Sequence, residues 1–155
     1  MFDARLDQLG VELPGPFLPH DPLDAVVVHR GTARTSGSLP RDADGTLRAT
    51  GLLGRELTTP DGRACAEQCA WNALSVLRAT LGTLDRIERV LTMTVFIACV
   101  PDFVDQPTVA DGASQVLVRL FGDDGRHSRS AIGVAALPRG APVEVEVTVA
   151  LREDG

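Results

Sequence analysis

Apolar and polar residues alternate strictly near the end of the chain. Val143, Val145, Val147 and Val149 fall on one face, and Glu144, Glu146 and Thr148 on the other, the period of a half-buried strand. Before it, Arg129 to Ala136 reads as another strand, with Arg129, Ala131, Gly133 and Ala135 sharing a face. Leu137-Pro138-Arg139-Gly140 reads as a Pro/Gly turn, so the two strands are expected to pair as a terminal hairpin. Ile87 to Cys99 is β-branched and apolar, a central strand that Pro101-Asp102 ends. Ala66, Ala70, Ala73, Leu74, Leu77 and Leu81 recur at helical spacing, and Gly82 closes that helix. Its start is expected at Thr59-Pro60-Asp61, with Thr59 as N-cap. Val109, Ala113, Val116, Leu117, Leu120 and Phe121 predict a second long helix.

The first part of the chain is more broken. Residues 3–9 predict a short helix stopped by Gly10. Pro14, Pro16, Pro19 and Pro22 then forbid helix and sheet ladders, leaving an arm on the surface or on a neighbouring subunit. Ala25 to Arg30 predicts a strand, Gly31-Thr32 a tight turn, and Ala33 to Ser36 the return. Ser36-Gly37-Ser38-Leu39-Pro40 breaks the ladder, Arg41 to Thr46 is a polar loop, and Gly51 to Thr58 is expected to add a short strand. The order strand, strand, (strand), helix, strand, helix, strand, strand predicts an α+β domain with both long helices on one face of the sheet. Residues 1–24 form the short helix and arm, and residues 25–155 the domain.

Composition narrows the chemistry. The chain has 155 residues, 44% hydrophobic and 23% charged, as a globular domain does. A net charge of −6 with scattered arginines argues against nucleic acid as main partner. No apolar run is long enough to span a bilayer, and the N-terminus lacks the layout of a secretory signal, so a cytoplasmic protein is expected. All 15 basic residues are arginine, which excludes lysine Schiff-base chemistry, and there is no tyrosine to serve as acid or base. Cys65, Cys69 and Cys99 form no disulfide framework and are read as small buried hydrophobes; the isolated His20, His29 and His127 make no zinc pattern. Trp71 is read as a packing residue.

Arg129 beside the tiny residues Ala131, Gly133 and Ala135 leaves room for a small carboxylate, or equally for a packed seam with a surface arginine. Glu144 and Glu146, two apart on one face, should raise the pKa of at least one if the site is desolvated; the alternative is that both face solvent. In a hairpin centred near Arg139-Gly140, Arg129 would pair close to Ala150, and Glu144 would lie roughly 20 Å along the ladder. If the two serve one pocket, they must then come from different subunits.

The terminal segment resembles the Rid family (reactive intermediate deaminases, also called YjgF-type). The signature is Arg129-Ser130, then Leu137-Pro138, then Val143-Glu144-Val145-Glu146. Ser36-Gly37-Ser38-Leu39-Pro40 is similar to the family's Ser-Gly-Gln-hydrophobic-Pro element, and Thr94-Val95-Phe96 with Asp102-Phe103 to its central strand and helix entry. Asp105-Gln106-Pro107, Gly112-Ala113-Ser114, Arg126-His127-Ser128-Arg129-Ser130 and Gly133-Val134-Ala135-Ala136-Leu137-Pro138 are closest to a longer branch with an N-terminal extension. The resemblance implies a chorismate-mutase-like α+β fold and a homotrimer with clefts between subunits. It implies hydrolysis of 2-imino or 2-enamino acids to 2-keto acids and ammonia, with no cofactor or metal. In that scheme Arg129 grips the substrate carboxylate, Glu144 positions water or assists proton transfer, and backbone groups near Gly37, Ser38 and Ala131 orient the substrate. Asp111 stands where the family commonly has a pocket-facing Asn, and there an extra acid would compete for Arg129. The family's Tyr is absent, Ala131 replaces a frequent Cys and Ser38 a Gln. A non-catalytic trimer that binds small carboxylates, or a specialised imine-hydrolysing accessory protein, is the alternative.

Overall fold

The computed structural model describes residues 1–153; residues 154–155, the end of the expected 25–155 domain, lie outside them. Strands β1 (Val26–His29), β2 (Thr32–Thr35), β3 (Ile87–Ala98), β4 (Ser128–Val134) and β5 (Val143–Leu151) form one sheet in the order β1-β2-β5-β3-β4. Helices α1 (Phe2–Leu9), α2 (Thr59–Leu81) and α3 (Gln106–Phe121) complete the regular elements that position the site.

The expected terminal hairpin does not form. β3 lies between β4 and β5, parallel to the first and antiparallel to the second, and Ala150 pairs with Thr32 and Arg89, not with Arg129. The reason is in the connection. Residues 135–142 contain Pro138 and Pro142, which cannot donate to a ladder, while Arg139 and Gly140 take left-handed backbone conformations. That segment crosses the end of β3 instead, where Ala98 N–H donates to the Pro142 carbonyl at 2.9 Å and Gly51 N–H to Gly140 at 3.1 Å. β3, the long apolar strand, thereby gains a partner on each side. Its parallel pairing with β4 requires a crossover, and α3 supplies it.

Alternation then decides which face is core. Val143, Val145, Val147 and Val149 of β5 and Val90, Met93, Val95 and Ile97 of β3 are buried. Over them lie Ala66, Ala70, Leu74 and Leu77 of α2 and Val109, Ala113, Val116, Leu117 and Leu120 of α3. Cys65, Cys69 and Trp71 are buried in the same cluster, and burial pushes the Cys65 thiol up to about 11. α3 comes close to α2 because position 112 is glycine: a Cβ there would lie 2.2 Å from the Arg63 carbonyl oxygen. The opposite sheet face carries Thr94, Phe96, Ile132, Glu144 and Glu146, half-buried or exposed, and no helix among the described residues covers it.

Several local expectations shift. The cap of α2 is Thr58, not Thr59: its side chain accepts from Asp61 N–H while the Asp61 carboxylate accepts from Thr58 N–H, a reciprocal pair that Thr59 is one residue too late to make. Residues 51–58 contribute isolated bridges from Leu53 to Leu57 and Cys99 rather than a strand. The β1–β2 turn is centred on Arg30 and Gly31, both at positive φ, the two-residue turn that hairpin twist favours. Val11 and Leu13 of the arm pack against the core. Among the described residues no helix is long and apolar enough to cross a membrane.

Candidate active site

Arg129 stands level with Met93 in the parallel register, so its side chain leaves the sheet on the helix side. There it meets α3, where Asp111 and Ser114, three residues apart, share a face. Arg129 Nη1 donates to Asp111 Oδ1 at 2.9 Å and to Ser114 Oγ at 3.0 Å, and Nη2 donates to the Pro107 carbonyl at 3.3 Å. Guanidinium has five N–H groups; three are matched here, and among the described residues the donors left over sit on Nε and Nη2. Those nitrogens share one edge of the fork, which a carboxylate can meet with two parallel hydrogen bonds. The Arg129 side chain is 20% exposed and Asp111 49%, so solvent reaches both. Ala131 follows on the same face, level with Val95.

Behind Arg129, Ser114 Oγ lies 3.0 Å from His127 Nε2, and His127 Nδ1 lies 2.6 Å from the Gly125 carbonyl oxygen. Neither Ser114 nor His127 stands out as a site residue from sequence. Each belongs to a recognisable motif, but only the β3–β4 register and the turn at residues 122–125 bring them to Arg129.

Glu144 is level with Phe96 and projects from the uncovered face. A β-bulge shapes its surroundings. Arg34 pairs with Thr148, but Ser38 pairs with Val145, so one extra residue is accommodated between them. Thr35 Oγ1 fills the gap by accepting from Val147 N–H at 3.0 Å. The bulge sets Gly37 against Glu144: a Cβ on Gly37 would fall 1.8 Å from Glu144 Oε1. Burial first, and the negative charge of Glu146 second, raise the Glu144 carboxyl above its ordinary value, which is the outcome expected of two like charges in a desolvated site. Glu146 itself is paired with Arg34 at 3.0 Å.

The Ser38 backbone is committed to β5 in both directions, N–H to the Val145 carbonyl at 2.8 Å and carbonyl to Val145 N–H at 3.0 Å. The Gly37 N–H meets no acceptor among the described residues. Beside them opens a cavity of about 140 Å³. The arm (residues 17–19), residues 36–39, and Asn72 and Val76 of α2 contribute to its walls. Asn72 braces it by donating to the carbonyls of Leu39 and Arg41.

Thus Arg129, Asp111 and Ala131 gather at one edge of the sheet, and Gly37, Ser38 and Glu144 at another place. Arg129 is level with Val147 across β3. Glu144 lies about 10 Å further along, two inter-strand spacings of about 4.8 Å away, and on the opposite face. These spacings put the two about 14 Å apart in the sheet, less than the roughly 20 Å expected of a hairpin, and it is the intervening strand and the reversal of face that keep them apart.

The family model described as "YjgF/chorismate_mutase-like, putative endoribonuclease" matches residues 3–147. Protein TCP17 of Trypanosoma cruzi is 42% identical over 150 residues, covering 96% of this chain and 92% of that protein. The crystal structure of Atu1372 from Agrobacterium tumefaciens, described as of unknown function, superposes with a TM-score of 0.87 at 36% identity, covering 97% of this chain and 91% of that one. A Shewanella oneidensis protein described as a "putative endoribonuclease" superposes with a TM-score of 0.92 at 27% identity, covering 97% of this chain and 99% of that one.

Proposed function

The chain belongs to the YjgF/chorismate-mutase-like (Rid) family, and from that membership and the site geometry we propose that it hydrolyses small 2-imino or 2-enamino acids to 2-keto acids and ammonia, in clefts between the subunits of a homotrimer. The observation that carries this reading is the state of Arg129: fixed at Nη1 and Nη2, partly exposed, with donors left on the Nε/Nη2 edge.

A substrate carboxylate on that edge is bound by charge-assisted hydrogen bonds. The reacting carbon then lies one bond away, within reach of a group from another subunit. Glu144 of that subunit takes a proton from water as the water oxygen bonds to the imine carbon. It returns that proton to the nitrogen, giving a carbinolamine. It then carries the carbinolamine hydroxyl proton to the same nitrogen as the C=O bond forms and the C–N bond breaks, releasing ammonia and leaving the 2-keto acid. A carboxyl raised by burial is suited to both transfers. The Gly37 N–H, without an acceptor among the described residues, is available to a polar substrate atom, and Ala131 adds only a methyl to the wall beside Arg129.

The uncovered sheet face, with Ile132 exposed and Phe96 half-buried, supplies an apolar surface for association with further copies. A carboxylate-binding trimer without turnover is the second reading, favoured by Asp111 already sitting on Nη1. Ribonuclease activity, the term in the family description, has a net charge of −6 against it.

The test generates 2-imino acids in situ with an amino-acid oxidase and follows their decay and the release of ammonia. Wild type is expected to accelerate decay, and Arg129→Ala to lose most of the acceleration. No acceleration over buffer across several side chains would remove the hydrolase reading and leave the binding one.

A further inference from the structure

Arg129 is supported from behind by a hydrogen-bond chain whose direction can be worked out. The Gly125 carbonyl only accepts, so the His127 nitrogen 2.6 Å from it, Nδ1, carries the ring proton. In the neutral ring Nε2 is then the acceptor. Burial, with a lesser contribution from the Arg129 charge, holds the His127 pKa below its ordinary value, while the Gly125 hydrogen bond works the other way. Ser114 Oγ, at 3.0 Å, therefore spends its one proton on Nε2. What it turns toward Arg129 Nη1, also at 3.0 Å, is a lone pair. The Gly125 carbonyl that begins the chain is itself fixed. A Cβ on Gly125 would stand 2.3 Å from the Leu117 carbonyl oxygen, so the turn packs directly on the α3 backbone.

We propose that Ser114 and His127 are positioning residues in series, His127 setting the direction of the Ser114 hydroxyl and Ser114 holding the Arg129 guanidinium toward an incoming carboxylate. The inference rests on the reading of Arg129 as a carboxylate-binding group. Its physical basis is a division of labour between the two partners of Nη1. Asp111 is charged and half exposed, so an incoming anion repels it and it is free to rotate into solvent. Ser114 is neutral, half-buried and locked by the imidazole, so it keeps its hold when a second carboxylate arrives. A backbone-anchored imidazole is what makes a rotatable hydroxyl a reliable acceptor.

The experiment compares the full-length wild type with Ser114→Ala, Ser114→Thr, His127→Phe and the double variant Ser114→Ala/His127→Phe, each first shown to be folded. Two quantities are measured: Kd for pyruvate by calorimetry, which needs no turnover, and kcat and KM for in situ imino acids. Ser114→Ala and His127→Phe are each expected to raise pyruvate Kd and KM roughly tenfold, the scale of a hydrogen bond to a charged group, with kcat within about twofold. Because the residues act in series, the double variant should be no worse than Ser114→Ala alone, and Ser114→Thr, which keeps the hydroxyl, should restore binding. Additive losses, or an unchanged Kd and KM in folded single variants, would overturn the proposal. If wild type binds pyruvate without hydrolysing imines, the hydrolase reading fails while the Kd series still decides this one. If wild type hydrolyses imines and the variants leave KM and Kd unmoved, the positioning role alone is lost.

Discussion

Glu144 Oε1 occupies the point where a side chain on Gly37 would begin, 1.8 Å from an ideal Cβ. The contact exists because the bulge between Arg34 and Ser38 turns Gly37 onto β5. The atom in the way is the end of a flexible side chain, so Gly37→Ala should move the carboxyl rather than break the fold. Melting temperature is expected to change by a few degrees at most, while kcat for imine hydrolysis falls about 100-fold, the scale of a lost acid–base group. Full kcat in that variant would separate Glu144 from turnover.

The raised Glu144 pKa has a definite sign in pH dependence. If the ionised carboxylate takes the proton from water, the acid limb of kcat lies above the ordinary carboxyl value of about 4.3. Glu146→Gln removes the second cause of the shift and frees the Arg34 charge, so the limb should move to lower pH. In the linkage, a raised folded pKa gives stability that is present below the unfolded value and lost as pH rises through the folded one. Glu144→Gln should therefore gain stability relative to wild type at pH 7 and lose that advantage near pH 4, read by urea unfolding at both.

Asp111 and the ligand carboxylate are drawn to one cation. Asp111→Asn keeps the size of the side chain and removes its charge, leaving Arg129 more positive. KM for imino acids and Kd for pyruvate should both fall several-fold. A rise would mean that the Asp111 charge, and not only Ser114, is needed to hold Nη1.

How far the sequence speaks depends on whether a feature is periodic or spatial. The helical spacing from Ala66 to Leu81, the β-branched run from Ile87 and the Val/Glu alternation after Val143 each carry their own register, and each appears where it was expected. The partner of a strand is not periodic. Arg129–Val134 and Val143–Leu151 look like hairpin halves, and only the length and prolines of residues 135–142 hint that β3 separates them. Arg129 and Glu144 are legible as residue types with a purpose. That they stand on opposite faces, or that Ser114 and His127 back the arginine, depends on the parallel alignment of β3 and β4, which no local pattern encodes. Thr58 and Thr59 are chemically alike as caps of α2, and only the position of Asp61, three residues after Thr58, selects between them.

That cap gives a prediction for stability. Thr58→Ala removes the hydroxyl that accepts from Asp61 N–H, leaving only the backbone half of the exchange, and should destabilise the protein by about 1 kcal/mol, measured by denaturant midpoint. Thr59→Ala, outside the exchange, should change it little.

The central claim is that Arg129 of one subunit and Glu144 of another complete each cleft. The most direct measurement is complementation. Arg129→Ala and Glu144→Gln are each expected to be nearly inactive, and are then unfolded together and refolded as an equal mixture. In a ring of three, a cleft is whole when its arginine comes from one variant and its glutamate from the other, which random mixing provides at about a quarter of the clefts. The account predicts recovery of about a quarter of wild-type imine hydrolysis in the mixture and none in either variant refolded alone. A mixture as inactive as its components, with trimers present, would contradict it.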